Sequence, residues 1–193
     1  MTGRNLLNSS PTPTQGRAVP NRGVTRTLAL DPGKLTGYAL LEHARRGTGD
    51  VERAGTIETT RDPHQTALAL HELLHATKPD RVVIEGWENQ GKRVNIHSTT
   101  PNLIIGMLAA LTALTGTPLH IAYSSEWKPQ YGTGAEYLPA PPQKIPKADE
   151  HLARRLQHDL RTWPTALVGL KTANAGHAVN AVALSIWATS ALP

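Results

Sequence analysis

Val82, Val83 and Ile84 form an unbroken β-branched run between Pro79 and Glu85. A strand that is apolar on both faces must be covered on both faces, which is the situation of a parallel strand at the centre of an α/β sheet. The neighbouring segments fit that requirement. Thr27 to Asp31 is an apolar strand running into the turn Pro32-Gly33, Gly37 to Leu41 resumes as a second strand, and Glu52 to Thr59 reads as a third. Their short connections suit an antiparallel meander. Asp62-Pro63-His64-Gln65 has the form of a helix start, with Asp as N-cap, Pro at the first helical position and Gln closing the box. That helix runs to about Lys78, where Pro79 stops it.

Beyond Glu85, Thr100-Pro101 is expected to open a second helix, which Gly116 ends. Leu103, Met107, Leu111 and Leu114 line one of its faces at helical spacing, as a core stripe or as a candidate dimer face. Leu119 to Tyr123 reads as a fifth strand, residues 128 to 146 as a Pro/Gly-rich loop, Lys147 to Leu160 as a polar helix and Ala175 to Ala188 as an alanine-dense last helix. The order β-β-β-α-β-α-β-loop-α-α predicts a mixed five-stranded α/β sheet, three meander strands and two parallel ones, with helices on its faces. Residues 26 to 193 are expected to form this single domain.

Composition narrows the chemistry. The chain has no cysteine, so a metal would have to be held by oxygen or imidazole. Twenty Lys and Arg against 15 Asp and Glu give a net charge of +5, which favours a polyanionic partner. No apolar run approaches the ~20 residues needed to span a bilayer, and the start of the chain lacks a secretion signal, so a cytoplasmic protein is expected. Residues 1 to 25 are rich in Ser, Thr, Pro, Asn and Gly and carry Arg4, Arg17 and Arg22 without an acid. They read as a flexible basic tail, either a solubilising extension or an arm that grazes nucleic acid.

Asp31 and Glu85 end the first and fourth strands. If those strands are neighbours, both carboxylates meet at one edge of the sheet. Hard Mg²⁺ takes oxygen ligands, and a two-metal phosphodiester hydrolysis needs acids converging from different elements. Gly33 leaves room for a phosphate backbone to approach. Each acid alone would read as a turn or strand-end residue; their joint placement points to a metal site.

Leu28-Ala-Leu-Asp-Pro-Gly33 with Thr36-Gly-Tyr-Ala39, then Val82-Val-Ile-Glu85, then His177-Ala-Val-Asn-Ala-Val-Ala-Leu184 resemble the motifs of RuvC-type Holliday junction resolvases, in order across residues 27 to 190. The resemblance implies an RNase H-like fold and a homodimer that cuts four-way or otherwise branched DNA. It implies two Mg²⁺ ions per site, with Mn²⁺ able to substitute, and bacterial or phage origin. It places Asp31, Glu85, His177 and Asn180 in the catalytic metal site. It also places Trp87 near the branch point, where an aromatic ring can stack on a base, although a buried core tryptophan is the competing reading. Lys92, Arg93, Lys128, Lys144 and Lys147 become phosphate contacts that position DNA without reading sequence.

One residue departs from the family. Where its last motif carries Asp, this chain has Asn180, which keeps the shape and one oxygen ligand but loses the charge. The chain therefore reads as a weakened enzyme, an Asp-to-Asn inactive variant (the preferred reading), or a non-catalytic junction-binding protein. On any of these, Asp at residue 180 is expected to strengthen the site.

His71-Glu72-Leu73-Leu74-His75 also matches the zinc-protease helix motif H-E-x-x-H, but Pro79 cuts the helix short and the expected third ligand is missing downstream. An actin-like ATPase or sugar kinase, which opens with a similar Asp-x-Gly hairpin, would need a second such domain.

Overall fold

The computed structural model describes residues 23–44, 49–59, 62–87, 96–132, 134–161 and 163–192, with 96–98 and 173 described by backbone alone. Its five strands are β1 (Val24–Asp31), β2 (Leu35–Ala44), β3 (Asp50–Glu58), β4 (Arg81–Gly86) and β5 (Leu119–Tyr123), ordered β3-β2-β1-β4-β5 in one sheet. β1, β2 and β3 pair antiparallel, while β4 runs parallel to both β1 and β5. The expected α/β sheet, three meander strands and two parallel ones, is the sheet observed. β1 begins at Val24, two residues inside the segment expected to be tail.

The β-branched run does what its sequence demands. Val82, Val83 and Ile84 are fully buried, as are Leu28, Ala29 and Leu30 on the adjacent strand. Alternation splits them between two cores. Leu28, Leu30, Val82 and Ile84 pack under α1 (Pro63–Thr77) and α2 (Ile96–Thr115), against Leu70, Leu74, Ile104 and Leu108. Ala29 and Val83 face the opposite layer, where α5 (Glu150–Leu160) and α6 (Thr172–Ala191) pack. The first helix starts as expected, with the Asp62 carboxylate accepting from the His64 N–H at 2.9 Å. Lys78 ends it in the left-handed region, its N–H on the Leu74 carbonyl.

Three expectations are corrected here. α2 starts at Ile96, so Pro101 lies inside it rather than at its first turn, and the helix gives up the bond that residue 101 would have donated. Its buried face is Ile104, Leu108 and Thr112, at i, i+4 and i+8. Leu103 (44% exposed) and Leu114 (85% exposed) are turned away, leaving Met107 and Leu111 half-buried between. The segment read as loop, residues 128 to 146, contains a short helix, α4 (Pro129–Gly132), anchored in the core by Tyr131, and it follows directly on another, α3 (Ser124–Trp127), anchored by Trp127.

α6 is the element that completes the site, and small residues let it lie close to the sheet. Ala175, Ala178, Ala181 and Ala183 are buried beneath it. On β2, a Cβ added at Gly37 would stand 2.1 Å from the His177 carbonyl oxygen, so no side chain fits there. At its other end Arg81 donates to the Ala188 and Leu192 carbonyls at 3.1 and 3.2 Å, placing a cation on the negative end of the helix. Gly37→Ala is therefore expected to cost at least the ~1–3 kcal/mol typical of overpacking, read as a lower urea midpoint at unchanged m-value.

Candidate active site

The parallel pairing of β1 with β4 sets Leu30 beside Ile84, so the next residues, Asp31 and Glu85, emerge side by side at the same sheet edge. The turn after Asp31 is pinned rather than loose. Thr36 donates to the Gly33 carbonyl at 3.3 Å, and the Thr59 hydroxyl bonds both the Gly33 and Lys34 carbonyls. Gly33 does not simply open space for a phosphate: a Cβ on it would meet the His177 ring at 3.4 Å.

His177 reaches across from α6, its Nδ1 2.8 Å from Asp31 Oδ2. Burial pushes the Asp31 carboxyl up to about 6, against His177, whose hydrogen bond pulls the other way; the charge of Glu85 and its hydrogen bond with Asp31 add to the rise. His177 is in turn raised above its ordinary value by the hydrogen bond to Asp31, less the effect of its own burial, with Asp149 and Glu85 adding negative charge. Glu85 is buried and holds two donors on Oε1, the Ser124 hydroxyl and the Lys128 ammonium, the latter at 2.8 Å. Ser124 and Lys128 are four residues apart, so α3 presents both to the same carboxylate.

Asn180 is buried on the same helix as His177, but it is turned to a different partner. Its Nδ2 donates to Asp149 Oδ1 at 2.8 Å and to the Gly176 carbonyl at 3.0 Å. Among the described residues, no three His, Asp or Glu side chains converge tightly enough to hold an ion as they stand. The donor set nevertheless fits a hard divalent cation. Two buried carboxylates meet at one sheet edge: burial pushes the pKa of Asp31 up despite its bond to His177, and Glu85 already accepts from an ammonium.

Of the expected DNA contacts, Trp87 is 49% exposed at the exit of β4, so the buried-core alternative does not hold. Lys144 and Lys147 are exposed on the segment leading to α5. Lys128 is placed on Glu85 and over the Trp127 ring at 5.0 Å. Lys92 and Arg93 lie outside the described residues. Sequence reasoning missed Ser124, Asp149 and Gly37. His71 and His75 sit exposed on α1 with rings 6.4 Å apart, and no third ligand joins them among the described residues.

No protein-family model matches the sequence, and curated proteins give no match. Solved structures do. RuvC of Thermus thermophilus in complex with Holliday junction substrate superposes with a TM-score of 0.58 at 14% identity, covering 84% of this chain and 91% of that one. A second T. thermophilus RuvC structure gives 0.58 at 15%, over 84% and 92%. The yeast mitochondrial Holliday junction resolvase Ydc2 gives 0.60 at 13%, over 86% and 78%. The chain thus has the RuvC-type, RNase H-like fold. No helix among the described residues is long and apolar enough to cross a membrane.

Proposed function

We propose that this protein is a divalent-metal-dependent endonuclease that resolves Holliday junctions or related branched DNA as a homodimer. The observation that carries the reading is the meeting of Asp31 and Glu85 at neighbouring parallel strand ends, with His177 brought onto Asp31 by α6, in a RuvC-type fold. Asp31, Glu85, His177 and the Asn180 carbonyl oxygen would hold the metal. Two Mg²⁺ ions, or Mn²⁺ in their place, would supply Lewis-acid stabilisation of the attacking and leaving oxygens.

The chain's own residues do the rest. Asp31 and Glu85 supply anionic oxygens from a rigid sheet edge. As the alternative to ligating the metal, His177, with its affinity for protons increased by Asp31, can accept a proton from an attacking water near neutral pH. Trp87 offers a half-exposed ring to an unstacked base, and Lys144 and Lys147 can bind backbone phosphate. Two opposed cuts in a four-way junction require two sites related by a two-fold axis. The exposed Leu103 and Leu114 on α2 supply apolar surface for that contact, and sedimentation should give twice the 20.8 kDa chain mass.

Asn180 favours a second reading, a non-catalytic junction binder or an Asp-to-Asn inactive variant. A labelled mobile junction incubated with Mg²⁺, Mn²⁺ or Zn²⁺ separates the two. Paired symmetric nicks with Mg²⁺ and Mn²⁺ are expected, whereas binding without nicks under every metal selects the second reading.

Binding should prefer four-way junction over linear duplex of equal length and should weaken steeply with salt. Lys144→Gln with Lys147→Gln is expected to lower the log–log salt slope by about 2, at ~0.9 per phosphate contact. Equal affinity for junction and duplex would leave only a general basic binder.

A further inference from the structure

We propose that Asp149 is a positioning residue of the metal site: it orients the Asn180 amide and restores, from a neighbouring element, the negative charge that residue 180 lacks. The inference rests on the metal-site reading above. Asp149 ends the 3-10 turn Lys147–Asp149 and occupies the N-cap position of α5. An aspartate there ordinarily accepts from the helix's own first N–H groups. Here the side chain makes no such bond. Its Oδ1 instead accepts from Asn180 Nδ2 at 2.8 Å, across 31 residues of sequence.

Its other oxygen is seated against bare backbone. A Cβ added at Gly176 would stand 2.7 Å from Asp149 Oδ2 and 2.9 Å from Pro146 Cγ. The carboxylate thus fills the place a side chain on α6 would take, one residue before His177.

A carboxylate only accepts hydrogen bonds, so it fixes which end of the amide faces it. Nδ2 is held by Asp149 and by the Gly176 carbonyl, which leaves Oδ1 as the atom Asn180 can offer a cation. The charge remains behind the same amide, one hydrogen bond from its nitrogen. Partners that orient a ligand in this way typically contribute 10- to 100-fold to metal affinity. This reverses the expectation that Asp at residue 180 simply strengthens the site. With Asp149 in place, Asn180→Asp sets two acceptors against each other across a position that holds one hydrogen.

The test measures Mn²⁺ affinity of the full chain by titration calorimetry, with circular dichroism as the check on folding. Asp149→Asn keeps an acceptor for Asn180 but removes the charge, and should weaken Mn²⁺ binding by about tenfold or more. Gly176→Ala, which displaces the carboxylate without altering it, should do the same. In the Asp149→Asn background, Asn180→Asp should restore affinity to near the starting value, because the exchanged pair has the same charge and the same hydrogen bond. A merely structural role would show no such rescue. Unchanged Mn²⁺ affinity in Asp149→Asn, beside a large loss in Asp31→Asn, would overturn the role of Asp149 and leave the metal site standing. Asp149→Asn and Asn180→Asp effects that add without rescue would overturn it too. If Asp31→Asn leaves Mn²⁺ binding unchanged, the metal-site reading fails and this inference falls with it.

Discussion

Asp31→Asn and Glu85→Gln are each expected to lower Mg²⁺-dependent junction cleavage by roughly 10²-fold or more, the usual cost of losing one charge-stabilising group. The double variant should be little worse than either single one, because the two acids serve one shared task and half of the pair is not half of the site. The sheet makes this a demanding expectation. Asp31 and Glu85 leave adjacent parallel strands one step beyond the Leu30–Ile84 pair, and both replacements match the originals in volume. The fold and junction binding should therefore survive, and the loss should appear in single-turnover cleavage with saturating enzyme rather than in affinity. Independent, multiplying losses would mean that the acids act separately. A loss of junction binding in step with cleavage would mean that they contact DNA directly.

The fold and half of the site could be read from the sequence because both rest on local signals. Three β-branched residues specify a doubly covered strand, and a strand's end places its final side chain at the sheet edge. Asp31 and Glu85 were legible for that reason. What escaped depends on contacts between distant segments. Gly37 looks like an ordinary hairpin glycine until the His177 backbone of α6 is found against it. Asp149 falls inside the segment read as a polar helix from Lys147, and nothing in that reading points to its partner on α6. As a core stripe, the α2 reading failed on phase: Leu103 and Leu114 keep helical spacing, but the sheet takes the face one residue on, through Ile104 and Leu108. Lys128 has no sequence signal tying it to Glu85, since it opens a segment dominated by Pro and Gly.

In metal-free buffer, stability should fall as pH rises from about 4 to above 6.5, and the sign follows from two raised groups. Asp31 titrates at about 6 when folded against 3.8 as an unperturbed carboxyl. Between those values the folded chain holds a proton that the unfolded chain has lost, so each step up in pH favours unfolding. The stabilisation is complete below 3.8 and gone above about 6. His177 works in the same direction over a higher window: its folded pKa lies above 6.5, so its stabilisation is present below 6.5 and is lost as pH passes the raised value. His43 opposes them, because burial lowers its pKa and it favours the folded state less as pH drops below 6.5. Asp31→Asn separates the contributions, since it leaves His43 in place while removing the Asp31 proton and the charge that raises His177. Urea midpoints in EDTA from pH 4 to 8 should therefore decline more steeply for the native chain than for Asp31→Asn. By pH 8 the variant should have gained on the native chain, relative to pH 4, by about 1–3 kcal/mol for a shift of this size. Parallel profiles for the two proteins would mean that the acidic pair carries no electrostatic strain, and with it would go the argument that these carboxylates are arranged for a cation.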